Sequence, residues 1–408
     1  MIKLTLNLCL VAALLLGTSA NAESPIRPGD RIALVGNTFA DQLRMYGYLE
    51  TLLLQRSASK PISIRNLGWA GDVLTVRDRP TGFPTEESEL TTHQTDVIIA
   101  CFGMGESFAG EAGLDAFRND LESFIASHEG KKYNGKSEVR LILISPIAYE
   151  DLGKRTPRWE KRNSELATYT RTMNQVAARA GLPFVNLNRP TSDLMEDYTA
   201  PKMTVNGVTL NGYGYWCVSR TLADVLLPGD GPWRLTVDAG KATGSGRGVS
   251  ISGVNRSGRG IRFTVAEKTW PSLGAPVAGK VHRQLGSQRD VLTVKNLSAG
   301  QYRLTIDGTE VATATAQKWA EGVVLEATPA HLALAEYREA IYDKNVNFVY
   351  SWKALNQVHI VGERRKSNSG RALPAEVIEF KKLTDQKDAA LAQGIELKTR
   401  KWQLIPVK

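Results

Sequence analysis

Four short segments carry the residue types that could do chemistry: Gly36-Asn37-Thr38-Phe39-Ala40-Asp41, Gly68-Trp69-Ala70-Gly71-Asp72, Gly103-Met104-Gly105-Glu106-Ser107 and Asn206-Gly207-Val208-Thr209-Leu210-Asn211. They supply hydroxyls, amides and carboxylates, and glycines that allow tight turns and close backbone approach to a ligand. Asp72 and Glu106 read either as a carboxylate pair suited to glycoside cleavage or a metal ion, or as two solvated acids at a domain edge. The run from Gly105 to Gly110 resembles a G-x-S-x-G nucleophile turn but has one residue too many. Ser57-Ala58-Ser59-Lys60 matches S-x-x-K without its companion motifs, and there is no phosphate-binding loop. The two cysteines beyond the leader have no histidine nearby and form no zinc site.

No histidine falls within the four segments. His93 precedes an apolar run, which puts it at the amino end of a strand, on the order of 20 Å from Gly103 at about 3.3 Å per residue. His128 ends the helix that follows and returns to the same side. His282, His331 and His359 lie further along the chain, where only domain packing could bring them to the glycine segments.

These segments need a frame. Arg31–Gly36, Ile62–Leu67, Asp96–Phe102, Val139–Ser145 and Pro183–Leu187 are apolar runs without polar alternation, as in strands buried on both faces. Helical periodicity separates them: Ala40–Gln55, the Leu114/Phe117/Leu121/Phe124 face, the Leu166/Tyr169/Met173/Val176 face, and Gly214–Leu226. Five β-α steps imply an α/β fold with a three-layer, flavodoxin-like parallel sheet over residues 23–228. Ligands bind beyond the carboxyl ends of such strands, and all four segments fall there. From Trp233 the pattern alternates apolar and polar residues between Gly/Ser turns, predicting a small antiparallel, sandwich-like β-domain over residues 229–328. Residues 329–408 read as a helical tail packing back on the first domain.

Residues 1–22 read as a secretory signal: Lys3, an apolar stretch from Leu4 to Leu16, and a small-x-small site at Ala20-Asn21-Ala22. The expected location is periplasmic or extracellular, with no membrane span. Cys101 and Cys217 sit in apolar patterns and are expected as buried, unpaired thiols. The net charge of +9 permits contact with a polyanion without demanding it. Residues 363–408 hold eleven Lys/Arg against six Asp/Glu, a solvated charged tail with at most a weak polyanion contact and no nucleic-acid motif.

In this order and on this frame the segments resemble the SGNH (GDSL-type) hydrolases, in particular a secreted bacterial branch with an inserted β-domain and a helical tail. The resemblance rests on VGNTFADQLRMYGYLETLL, RNLGWAGD, CFGMGESFAG and TVNGVTLNGYGYW, with KNVNFVYSWKALNQ in the tail, and spans nearly all of the mature chain. It implies the SGNH hydrolase fold and an ester hydrolase acting on acetyl or acyl groups of carbohydrate or lipid, without metal or cofactor. It places the nucleophile on Thr38, preceded by Asn37 in place of aspartate, and a backbone oxyanion donor on Gly71. The oxyanion asparagine falls on Gly105, and the aspartate and histidine fall on Asn206 and Thr209. A hydroxyl attacks only as a base takes its proton, and threonine accepts none near neutral pH. The expectation is therefore a ligand pocket (Asn37, Asp72, Glu106, Asn206, Thr209) for a carbohydrate or acylated carbohydrate, with impaired or lost catalysis. The alternative is an active esterase using Thr38 with a base from elsewhere, such as His359.

Overall fold

The computed structural model describes residues 24–77, 79, 84–277, 281–353 and 368–407. The segment read as a secretory signal (residues 1–22), Arg364-Arg365-Lys366 and His359 lie outside the described residues. The first domain runs β1 (Arg31–Gly36), α1 (Thr38–Tyr46), α2 (Tyr48–Arg56), β2 (Ser63–Asn66), α3 (Glu86–Thr92), β3 (Val97–Cys101) and α4 (Leu114–His128). It continues with β4 (Arg140–Ile144), α5 (Trp159–Arg179), β5 (Phe184–Val185), α6 (Asn188–Met195) and α7 (Gly212–Leu226).

The five strands pair in parallel in the order β2-β1-β3-β4-β5. This is the flavodoxin-like order, and its switch point lies between β1 and β3. Both sheet faces are covered. Ile32, Leu34, Val97, Ile99, Ile142 and Ile144 pack with α1, α2 and α7, while Ala33, Val35, Ile98, Ala100, Leu141 and Leu143 pack with α4 and α5. That double burial is why these strands show no polar alternation.

The single helix expected over 40–55 is two helices. Gly47 takes a φ of 65°, its N–H donates to the Leu43 carbonyl, and the chain restarts at Tyr48. Helix α6 was not legible in the apolar pattern, since its buried positions are few.

The second region contains β6 (Arg234–Asp238), β7 (Thr243–Arg247), β8 (Val249–Ser257), β9 (Gly260–Glu267), α8 (Arg283–Gly286) and β10 (Val291–Lys295). There follow β11 (Gln301–Ile306), β12 (Thr309–Thr315), α9 (Ala316–Glu321) and β13 (Val323–Val324). The tail adds α10 (Pro329–Trp352), α11 (Asn368–Leu391) and β14 (Thr399–Pro406). Two sheets, β13-β10-β6-β7 and β12-β11-β14-β9-β8, share a core that includes Trp233, Leu235, Phe263, Trp319, Trp402 and Leu404.

Two features differ from the sequence reading. The domain is not wholly antiparallel: β6 and β10 pair in parallel, because the chain between them crosses to the other sheet and returns in the same direction. The tail is not wholly helical either. Its last strand, β14, lies between β9 and β11 and buries Trp402 and Leu404 in the β-domain core.

The tail helices are clamped to the first domain by buried charge. The fully buried Lys344 ammonium pairs with Glu50 and donates to the Ile64 carbonyl at 3.0 Å. Asp388 accepts from Arg65 at 2.7 Å and from Ser63 at 2.5 Å. Burial alone would push the Asp388 carboxyl up, but Lys344 and Arg65 hold it down to about 2. Removing one member of a buried pair strands the other. Lys344→Ala is therefore expected to lower stability by about 3–5 kcal/mol, read as a fall in the urea midpoint at pH 7.

Candidate active site

Strand β1 ends in a turn that only glycine can make. Gly36 has a φ of 127°, and a Cβ there would stand 2.1 Å from the Cys101 carbonyl oxygen at the end of β3. The next residue, Asn37, caps α1: its side-chain oxygen accepts from the Phe39 N–H at 3.0 Å, and its own N–H donates to that Cys101 carbonyl at 3.2 Å. Thr38 therefore stands at the first position of the helix, over the switch point. The Gly71 N–H donates to its hydroxyl oxygen at 3.2 Å.

Around Thr38 lies a cavity of about 230 Å³, walled by Phe39, Phe102, Met104, Phe108, Ile147 and Val208 and therefore largely apolar. Asn37, Thr38, Gly71, Asp72, Gly105 and Thr209 also line it, so the fold brings together six of the eight positions marked in the sequence. Glu106 and Asn206 stand outside this lining. The Asn206 side chain is exposed and turned onto its own loop, accepting from the N–H groups of Val208 (3.2 Å) and Thr209 (2.7 Å).

Asp72 and Glu106 are each engaged separately. Asp72 is gripped by Arg79 through contacts of 2.6 and 3.1 Å, and the Arg79 guanidinium lies 4.5 Å from the Trp69 ring centre. Burial raises the Asp72 pKa against the pull of Arg79. Glu106 accepts from the N–H groups of Leu74 (2.9 Å) and Gly103 (2.8 Å), which ties the turn after β3 to the one after β2; burial raises its pKa as well. Both acids act as braces rather than as an acid–base pair.

Other ionisable groups of the lining are equally spent. Burial pushes the Cys101 thiol up to about 12 and the Tyr215 phenol well above its ordinary range; the latter donates to the Phe39 carbonyl at 3.1 Å. Cys101 and Cys217 are both buried and free. None of the four described histidines lines the cavity. His128 contacts the Tyr133 hydroxyl at 3.0 Å, His282 contacts that of Tyr213 at 2.6 Å, and His331 sits 3.1 Å from Asp290. His93 lies at the amino end of the sheet, as its place before the third strand implied.

Three residues that the sequence did not single out shape the site. Glu150, beyond β4, accepts from the N–H groups of Met203 (3.0 Å) and Thr204 (2.7 Å) and from the Thr204 hydroxyl (2.7 Å). It thereby holds the loop that presents Thr209. An acid directly after the apolar Pro146–Tyr149 stretch was the available signal. Phe108 stands at the rim with 69% of its surface exposed, and the Arg162 guanidinium lies 4.0 Å from its ring centre. Trp352, at the end of α10, packs edge-on against Trp69, and the next residue, Lys353, reaches Asp41 at 2.5 Å. The tail thus reaches the flank of the site.

No protein-family profile and no curated protein matches this sequence. Among solved structures, a gut microbial diltiazem-metabolizing enzyme superposes with a TM-score of 0.72 at 16% identity, covering 94% of this chain and 99% of that one. The chain shares the fold of that enzyme, an α/β fold built on a five-stranded parallel sheet. At this identity the likeness is one of fold. A catalytic mutant of the acetylxylan esterase Axe2 from Geobacillus stearothermophilus covers 50% of this chain and is itself covered to 96%, at 15% identity and a TM-score of 0.40. The acetyl xylan esterase AlAXEase covers 47% and is covered to 97%, at 14% identity and a TM-score of 0.36.

The position of Gly105 is fixed by packing. A Cβ there would meet the Val73 side chain at 2.6 Å, so no asparagine fits without movement of the preceding turn. Gly105→Asn is expected to cost about 1–3 kcal/mol through overpacking, and Val73→Ala in the same chain is expected to restore most of it. Thermal unfolding of the single and double variants checks this.

Proposed function

We propose that this protein is an exported binding protein that keeps the cleft of an ester-cleaving fold without its proton-transfer machinery. Its ligand is an acylated carbohydrate whose acyl group enters the apolar cavity. A fold of this kind hosts many functions, so the reading rests on the site. One observation carries it: among the described residues, the hydrogen-bond partner of the Thr38 hydroxyl oxygen is the Gly71 N–H, a donor, no histidine lines the cavity, and the carboxylate in its wall, Asp72, is held by Arg79.

An alcohol held this way keeps its proton. Ester attack at neutral pH requires that proton to leave as the bond forms, and a positioned base contributes roughly 10²–10⁴-fold. A missing side-chain oxyanion donor removes about 10²–10³ more. Gly71 alone can polarise a carbonyl, which aids recognition of an ester without opening it.

A second reading rests on that same Thr38–Gly71 pair, an alcohol and a backbone donor in hydrogen-bond contact at the switch point. In it Thr38 attacks and a base from elsewhere in the chain, such as His359, takes the proton.

Purified protein is assayed with 4-nitrophenyl acetate and with acetylated xylo-oligosaccharide. The expected result is hydrolysis equal in the wild type, Thr38→Ala and His359→Ala, with saturable binding of the acetylated sugar. Installing Thr38→Ser, Asn206→Asp and Thr209→His together is expected to raise hydrolysis at least about 10²-fold. Wild-type turnover abolished by Thr38→Ala would establish the second reading and refute the first.

A further inference from the structure

A second cavity, of about 360 Å³, opens at the amino ends of β1 and β2, between the end of α3 and helix α11. It lies at the opposite end of the sheet from Thr38. Its size is within the range of small-molecule sites, roughly 300–1,000 Å³. His93, which caps the end of α3, lines it with only 5% of its surface exposed, and among the described residues neither ring nitrogen has a hydrogen-bond partner. A neutral imidazole has one N–H and one acceptor nitrogen, and leaving both unmet in the interior is costly. Burial, reinforced by Arg65 and Arg31, pushes the ring's pKa well below its ordinary value, so the ring is neutral; Lys344 acts in the same direction and Asp388 against it.

The charges around that ring are unevenly spent. Arg65 is paired with Asp385 at 2.8 Å and with Asp388 at 2.7 Å, and Lys381 is paired with Glu89. Arg31 differs. Its Nε donates to the His93 carbonyl, and among the described residues its two terminal nitrogens meet no acid. A guanidinium fork beside a buried imidazole N–H is matched by one carboxylate. The acids on the same walls accept hydrogen bonds from hydroxyls, and they repel a second negative charge.

We propose that this cavity binds a hydroxylated monocarboxylate, a sugar acid, with its carboxylate on Arg31 and His93 and its hydroxyls donating to Glu89, Asp385 and Asp388. A neutral sugar would leave the Arg31 fork and the imidazole N–H unmatched. A bare carboxylate would make no use of the acceptor capacity that Glu89, Asp385 and Asp388 retain beyond their Arg65 and Lys381 partners. The site is separate from the Thr38 cleft and does not depend on how that cleft is used.

Calorimetric titration of the full chain with D-glucuronate, D-glucose and acetate tests the proposal. Glucuronate is expected to bind, with glucose and acetate each at least tenfold weaker. Arg31→Gln and His93→Leu are each expected to weaken glucuronate at least tenfold, while His93→Gln, which keeps a donor and an acceptor, stays within a few-fold of wild type. Should His93→Leu fail to fold, Arg31→Gln and His93→Gln decide. The proposal is overturned by no glucuronate binding to the wild type at millimolar concentration, by glucose or acetate binding equally well, or by Arg31→Gln binding unchanged.

Discussion

The close approach of β1 and β3 at the switch point is the constraint on which the site depends. Their parallel pairing brings the Cys101 carbonyl so near the end of β1 that residue 36 must lack a side chain, and the same carbonyl then receives the Asn37 N–H. That contact fixes where α1 starts and therefore where the Thr38 hydroxyl stands. Everything else is arranged around the point so defined. Glu106 laces the turns after β2 and β3 together, Glu150 anchors the Thr209 loop, and α10 braces the outer flank through Trp352 and Lys353.

What they support is chemically quiet. Each ionisable group in the cavity wall is buried and neutral or committed to a partner: Asp72 to Arg79, the Tyr215 hydroxyl to a carbonyl, Cys101 to the core. The pocket is mostly apolar, and its Thr38 hydroxyl oxygen accepts from the Gly71 N–H. Proton transfer needs an acceptor whose pKa lies near the working pH, and on the proposed reading the described wall supplies none.

Much of this was legible in the chain. Strands buried on both faces announce themselves as unbroken apolar runs, and the glycine-bearing turns after β1, β2 and β3 sat where a doubly wound sheet places its ligand. Less visible were features set by long-range contact. The alternation of Trp402 and Leu404 was present in the tail, but nothing local showed that the strand would enter the centre of a sheet built more than ninety residues earlier. Gly47 ends one helix and starts the next inside an otherwise continuous apolar pattern by taking a left-handed φ of 65°, where it faces Arg338 and Ile341 of α10. Asp72 and Glu106 looked alike in the sequence. Only the fold shows that one meets Arg79 and the other two backbone N–H groups.

The most direct measurement is covalent. The full chain is incubated with a fluorophosphonate, which reacts with hydroxyls activated by a neighbouring base, and the peptide containing Thr38 is weighed by mass spectrometry beside a serine hydrolase treated in parallel. The expected result is an unmodified Thr38 peptide while the control enzyme is fully labelled. A stoichiometric adduct on Thr38, absent from Thr38→Ala, would show that a proton acceptor does serve this hydroxyl and would contradict the reading of the site.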